Sequence, residues 1–201
     1  MDSSVNHPVF SRLYLWTEGV LEAAVGEARR AQNVQASGRT LIVGAGTGLD
    51  VPALNREVTD VWLLEPDPTM RRALRARHPE AAIVDCPAEA IAASDASFDT
   101  VLSTLVLCSV RDLDAALREV ARVLKPDGQF LFLEHVRNPS PMGGIAQRAV
   151  EPAWKRVGGG CHLTRDVVLA LERSPLEVIS VEAVRSGLLL PIIRGRAVRR
   201  G

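Results

Sequence analysis

Apolar positions along this chain recur with two different periods, and the alternation between them lays out the architecture. Residues 9–31 place Phe10, Leu13, Tyr14, Val20, Leu21 and Ala24 at helical spacing. A short polar link, residues 35–38, leads into Thr40-Leu41-Ile42-Val43, a continuous apolar run that suits a strand buried on both faces. Further strands are predicted at Val61–Leu64, Ala82–Val84, Phe98–Thr104 and Phe130–Leu133. A helix is expected from Pro68 to Arg77, with Asp67 as N-cap and the proline in the first helical position. Asp112–Leu124 gives the clearest helical pattern: Leu113, Ala116, Leu117, Val120, Val123 and Leu124 share one face, and Lys125-Pro126-Asp127-Gly128 stops it. Helices at 145–157 (bent at Pro152) and 165–173 follow, then two strands at 176–184 and 191–198.

Strands that alternate with helices imply crossover units and a mainly parallel sheet. The last two strands are joined by too short a link for a parallel crossover, so they are expected to pair as an antiparallel hairpin. The predicted fold is therefore α/β, a doubly wound seven-stranded sheet with a reversed strand at one end. At 201 residues the chain suits one domain spanning 1–201.

Composition narrows the function classes. The 24 Lys and Arg residues balance 24 Asp and Glu, and the clustered arginines at 194–200 lack interleaved aromatics, so no nucleic-acid partner is expected. The longest apolar runs, 104–110 and 188–193, fall well short of the ~20 residues that span a bilayer, and the N-terminus lacks the form of a secretory signal. Cys86, Cys108 and Cys161 form no CxxC pair, so no metal site is expected and the odd count suits a reducing compartment. The expectation is a soluble cytoplasmic protein of undetermined oligomeric state.

Three polar features fall where predicted strands end: the turn Gly44-Ala45-Gly46-Thr47-Gly48, then Glu65, then Asp85. In such a sheet, ligands bind beyond the carboxyl ends of the strands. The glycines let the backbone turn tightly and approach a ligand. Glu65, 17 residues past the last glycine, can accept from both hydroxyls of a ribose. The nicotinamide fingerprint GxGxxG fails, because Leu49 stands where its third glycine belongs.

Leu41–Gly48 resembles motif I of the class I S-adenosylmethionine-dependent methyltransferases, a Rossmann-like family. Leu64–Asp67, Asp85–Glu89, Ser97–Val101 and Arg122–Gly128 resemble its further motifs, in order and at family spacing. One departure is Ile42, where family members often carry an acidic residue. Thr104–Val110, Leu133–Val136 and Gly160–Arg165 are similar to the thiol methyltransferases of animals and their bacterial relatives, whose animal members carry an N-terminal membrane anchor not seen here.

The resemblance implies S-adenosylmethionine as cofactor and a small-molecule methyl acceptor, with a thiol favoured. The alternatives are an O-, N- or C-methyltransferase of a biosynthetic intermediate or lipid headgroup, or a non-catalytic cofactor-binding subunit. It also implies residue roles. Gly44, Ala45, Gly46 and Gly48 lie against the methionine part, Glu65 holds the ribose, and Pro66 and Met70 flank the adenine. Asp85 accepts from the adenine amino group, the backbone around Cys86, Pro87 and Ala88 reads the ring edge, and Thr104 and Leu105 face the reacting centre. His135, at a strand end, is the candidate general base, since an unperturbed imidazole titrates near ~6.5. Glu134 reads as an orienting group, and His162 sits in a glycine-rich stretch able to fold over the acceptor. Residues 1–34 are expected to form a helical lid, in which Phe10, Tyr14 and Trp16 concentrate a scarce aromatic supply.

Overall fold

A computed structural model describes residues 8–200. The chain begins with a long helix, α1 (Pro8–Asn33), and then enters the sheet through β1 (Gly38–Val43) and β2 (Val58–Leu64). Helix α2 (Pro68–Arg77) leads to the short β3 (Ala82–Val84) and on to β4 (Phe98–Thr104). Helix α3 (Leu113–Val123) precedes β5 (Leu124–His135). Helices α4 (Pro141–Val157) and α5 (Val167–Arg173) are followed by β6 (Leu176–Arg185) and β7 (Ile192–Arg199).

The seven strands lie in the order β3-β2-β1-β4-β5-β7-β6. The first five are parallel, and β7 runs antiparallel to both β5 and β6. The chain leaves β1 toward one edge and returns to β4 on β1's other side. The carboxyl ends of β1 and β4 thus form the switch point where open α/β sheets bind ligands.

The central strands are apolar on both faces because both faces are covered. Leu41, Val43, Val101, Phe130 and Phe132 point into a core shared with α3 and α5. Their immediate neighbours Ile42, Leu102 and Leu131 point the other way, into a core closed by Leu74 of α2. A third cluster seats Val25 and Ala28 of α1 on Leu133 and Ile192.

Local chemistry sets the helix starts. The Asp67 carboxylate accepts from the backbone N–H groups of Thr69 and Met70, and Asp112 and Asp166 cap α3 and α5 in the same way. Helix α4 starts four residues earlier than the apolar pattern predicts, because Ser140 caps it through the Gly143 N–H and Pro141 occupies its first position. It continues as one element through Pro152. The 125–128 stop is also not a clean break. Leu124 pairs with Phe98 and Gln129 with Thr100, so the strand begins directly after α3 and Lys125–Gly128 bulge out of register. Two crossovers depart from simple strand–helix alternation: 44–57 holds only a 3₁₀ turn, Val51–Ala53, and 85–97 contains no helix.

Candidate functional site

A single cavity collects the strand-end features at the switch point. From the β1 turn it takes Gly44, Ala45, Gly46, Leu49 and Asp50; from the end of β2 and the start of α2 it takes Glu65, Pro66, Asp67 and Met70. The segment after β3 adds Pro87, Ala88 and Glu89, and the end of β4 adds Thr104, Leu105, Val106, Ser109, Val110 and Arg111. Helix α1 adds Phe10, Ser11, Tyr14, Leu21 and Arg29, and Phe10 packs against Gly159, which also lines the cavity.

The glycine turn is held by its surroundings. Gly44, Gly46 and Gly48 all have positive φ, which favours glycine. A Cβ on Gly44 would lie 2.5 Å from Val106, and one on Gly48 would lie 2.4 Å from the His78 ring. At Gly46 the nearest atom to a Cβ would be the Gly44 carbonyl at 4.0 Å, so the turn presents an open cradle to the cavity. Glu65 fastens this cradle. Its Oε2 accepts from the Gly46 N–H at 2.7 Å and its Oε1 from the Asp67 N–H at 2.8 Å. Burial pushes the Glu65 carboxyl up to about 7, against the lowering effect of those two N–H groups.

Asp50 was not singled out by the sequence, yet it is a further buried carboxylate of the cavity, beside Glu65 and Asp67. Its Oδ2 pairs with Arg29 at 2.9 Å, and its Oδ1 accepts from Asn33 and from the Thr104 hydroxyl, both at 2.9 Å. Helix α1, the turn and β4 are thereby joined at one group. Glu18 of α1 adds a second tie, accepting from the Thr47 hydroxyl at 2.9 Å and pairing with Arg77 of α2. Tyr14 is pushed up to about 12 by burial, so its phenol stays neutral.

The loop after β4 is shaped from below. Leu105 has φ 59°, a left-handed conformation costly for a residue with a Cβ. Glu134 holds it there, accepting from Ser103 Oγ at 2.5 Å and from the N–H groups of Val106 and Leu107 at 3.1 and 3.0 Å. Arg165 donates to the carbonyls of Leu107 and Val110 from the other side. Burial raises the Glu134 carboxyl to about 7.

Four expected site residues stand outside the lining. Gly48 packs under the turn against His78. Asp85 is exposed and paired with Arg71 at 2.7 Å, and neither it nor Cys86 lines the cavity. His135 points away from the cavity. It is 4% exposed, its Nε2 is 3.1 Å from the Leu189 carbonyl, and its Nδ1 faces Cys161 Sγ at 3.9 Å. This geometry corrects the placement of His135 beside an acceptor: the imidazole is turned by the carbonyl into a buried thiol cluster. His162 also stays outside, tied through its N–H to the Cys108 carbonyl, while Gly159 of the same stretch reaches the cavity. Trp16 is 84% exposed and does not join Phe10 and Tyr14.

Cys108 and Cys161 lie together beside His135. Cys161 is pushed down to about 5, chiefly by the Cys108 thiol and also by His135 and Trp154, while Cys108 is pushed up.

Comparison with known proteins agrees with this geometry. Residues 41–132 match a family model described as a methyltransferase domain. Thiol S-methyltransferase TMT1B of Rattus norvegicus is 44% identical over 90 residues, covering 44% of this chain and 37% of that protein. Thiol S-methyltransferase TMT1A of Homo sapiens is 40% identical over 102 residues, covering 50% and 42%. The chain thus spans less than half the length of these curated relatives. A crystal structure of geranyl diphosphate C-methyltransferase from Streptomyces coelicolor A3(2), solved with S-adenosyl-L-homocysteine, shares the fold with a TM-score of 0.69 at 15% identity, covering 90% of this chain and 77% of that one. The open cradle at Gly46, with a buried carboxylate at the neighbouring strand end, leaves room for a ligand of the size that structure was solved with. Residues 41–132 of this chain are thus similar to a methyltransferase domain, and the fold is the one that solved methyltransferases share.

Proposed function

We propose that this chain transfers the methyl group of S-adenosylmethionine to the sulfur of a small-molecule thiol. The cofactor supplies a methyl on a sulfonium, which departs as a neutral thioether. The chain's own residues bind, orient and exclude water. Glu65 accepts from the ribose hydroxyls, Gly44–Gly46 lie against the methionine part, and Pro66 and Met70 flank the adenine. The Arg29–Asp50 pair offers opposite charges to the methionine carboxylate and ammonium, a role left open by Ile42. Because Asp85 is turned to Arg71, recognition of the ring edge falls to the backbone of Pro87 and Ala88.

The observation that carries the thiol reading is the engagement of every carboxylate in the lining. Asp50 holds Arg29, Asn33 and Thr104; Glu65 holds two N–H groups; Asp67 caps α2; Glu89 accepts from the N–H groups of Arg111 and Asp112. Among the described residues, no histidine lines the cavity. An alcohol would need a base within hydrogen-bond reach. A thiol with pKa near ~8.5 already holds some thiolate at neutral pH and loses its proton to solvent. Leu105, Val106 and Val110 give the acceptor side an apolar wall, and alignment there can supply ~7–11 kcal/mol. Two same-family rivals remain distinct in practice. Offering labelled cofactor with thiols, phenols and amines is expected to label thiols. Transfer to phenols or amines alone, or cofactor binding without transfer to any acceptor, overturns the reading.

We further propose that the single domain uses α1 as its lid. Phe10→Ala is expected to weaken cofactor binding and turnover, whereas Trp16→Ala leaves both unchanged; equal effects would refute the lid.

A further inference from the structure

We infer that Cys108, His135 and Cys161 form a binding site for a zinc ion, behind the cofactor cavity. The three side chains come from separate places in the fold: the loop after β4, the end of β5 and the loop after α4. Their ligand atoms nevertheless lie within 4.8 Å of one another, and all three residues are buried. One tetrahedral ion, with bonds of about 2.3 Å to sulfur and about 2.0–2.1 Å to nitrogen, spans ligand separations of this order.

The imidazole is already oriented for the task. Its Nε2 sits 3.1 Å from the Leu189 carbonyl, which can only accept. The proton therefore resides on Nε2, and the lone pair on Nδ1 faces Cys161 Sγ. A ligand histidine whose other nitrogen donates to a backbone carbonyl is the usual arrangement around protein-bound metals. That carbonyl is fixed in turn by Gln147, whose Nε2 donates to it at 3.0 Å. The loop carrying Cys161 is locked to the loop carrying Cys108 by the His162 N–H, which donates to the Cys108 carbonyl at 2.9 Å. Among the described residues, the indole N–H of Trp154 is buried and has no hydrogen-bond partner.

The charge balance is favourable. Two thiolates neutralise the divalent ion, so no net charge is buried, and any proton still held by the thiols leaves to solvent on binding. Two cysteines and a histidine leave a fourth position for a non-protein ligand, the pattern of open zinc sites. The ion would tie the 158–163 loop to the strand ends, and with it Gly159, which packs against Phe10 and lines the cavity. The inference does not depend on which acceptor the cavity takes.

The test uses the full chain, reduced and stripped of metal, then titrated with zinc against a chromophoric chelator and separately with cobalt(II). Wild type is expected to bind one zinc per chain and to give thiolate-to-cobalt charge-transfer absorption with the visible bands of a tetrahedral ion. C108S and C161S are expected to lose affinity at least about 100-fold, whereas C86S binds as wild type does. Zinc is expected to raise the Tm of wild type and not that of C161S. Zinc retention by wild type no greater than by the C108S/C161S double variant overturns the inference, as does a Cys108–Cys161 disulfide forming in place of metal binding under the same conditions. Should a variant fail to fold, the wild-type cobalt spectrum decides alone: without thiolate charge transfer the site is not a metal site.

Discussion

Lowering the pH from 8 to 6 is expected to weaken S-adenosylmethionine binding through one group, Glu65. Its carboxyl is 6% exposed, and burial raises it from the ordinary carboxylate range to about 7. The Asp67 carboxylate pushes in the same direction; the N–H groups of Asp67 and Gly46 and the Arg71 guanidinium push against it. Ribose hydroxyls donate best to the ionised form, so binding releases a proton wherever the free protein holds one. Affinity is then flat above pH 7 and falls as pH drops below it. Each unit of pH costs about 1.4 kcal/mol, or tenfold, so binding at pH 6 is about tenfold weaker than on the plateau.

Glu65→Gln separates this linkage from other titrations, because glutamine keeps the shape and cannot ionise. Losing a hydrogen bond to a charged acceptor costs roughly 1.5–3 kcal/mol, so the plateau affinity should fall about 10- to 150-fold while the slope below pH 7 disappears. Calorimetry in buffers of different ionisation heat reads both the affinity and the released proton. A wild-type affinity that stays flat from pH 8 to 6, or a slope that persists in E65Q, refutes the reasoning; in the second case Glu134, also raised to about 7, is the group to suspect. The same shifts act on folding with the opposite sign. A carboxyl whose folded pKa is raised contributes stability that is fully present below its unfolded value, near 4.5, and is lost as pH rises through 7. The ligand-free protein should therefore gain stability from these two groups as pH falls from 7 toward 5, while cofactor binding weakens.

Gly46→Ala and Gly48→Ala are expected to fail differently. The Gly46 Cβ meets open cavity, so that variant should fold, with a backbone cost of about 1–3 kcal/mol, and lose cofactor affinity. The Gly48 Cβ collides with His78 and Leu74, so that variant should lose stability first; thermal melts with and without cofactor distinguish the two. Asp50→Ala strips a buried guanidinium of its 2.9 Å partner and should cost about 3–5 kcal/mol in urea denaturation, and a loss under about 1 kcal/mol would show that Glu22 alone supports Arg29.

Much of the fold was legible because the two hydrophobic periods are clean. In β1, Leu41 and Val43 feed one core and Ile42 the other, so the unbroken apolar run carried the information that both faces are covered. Asp67-Pro68 and Asp112 marked helix starts through cap chemistry that acts within three residues. The early start of α4 was hidden because Gly143 and Gly144 interrupt the apolar stripe, while the Ser140 cap and Pro141 supply what the stripe lacks. The bulge at 125–128 was hidden for another reason. A Pro-Asp-Gly sequence reads as a stop whether the chain leaves the sheet or merely loops out of register, and only pairing with Phe98 and Thr100 decides between them.

The site divides along the same line between local and long-range causes. Gly46 and Glu65 were readable because each sits at the tip of its own strand, and parallel register alone brings the tips together. Asp50 and His135 were not, because their roles depend on partners distant in sequence. Asp50 is fixed by Arg29 from the preceding helix and by Thr104 from another strand; without them it reads as one more polar loop residue. His135 stands at a strand tip like Glu65, and strand alternation places Glu134 and His135 on opposite faces. Glu134 turns toward Ser103 and the 105–107 backbone, so the next residue must turn away, toward Leu189 and Cys161. The pairing that makes Glu134 the brace of the loop after β4 is thus the same one that keeps the neighbouring imidazole out of the cavity. A variant that flipped this register would lose the brace before it gained a base.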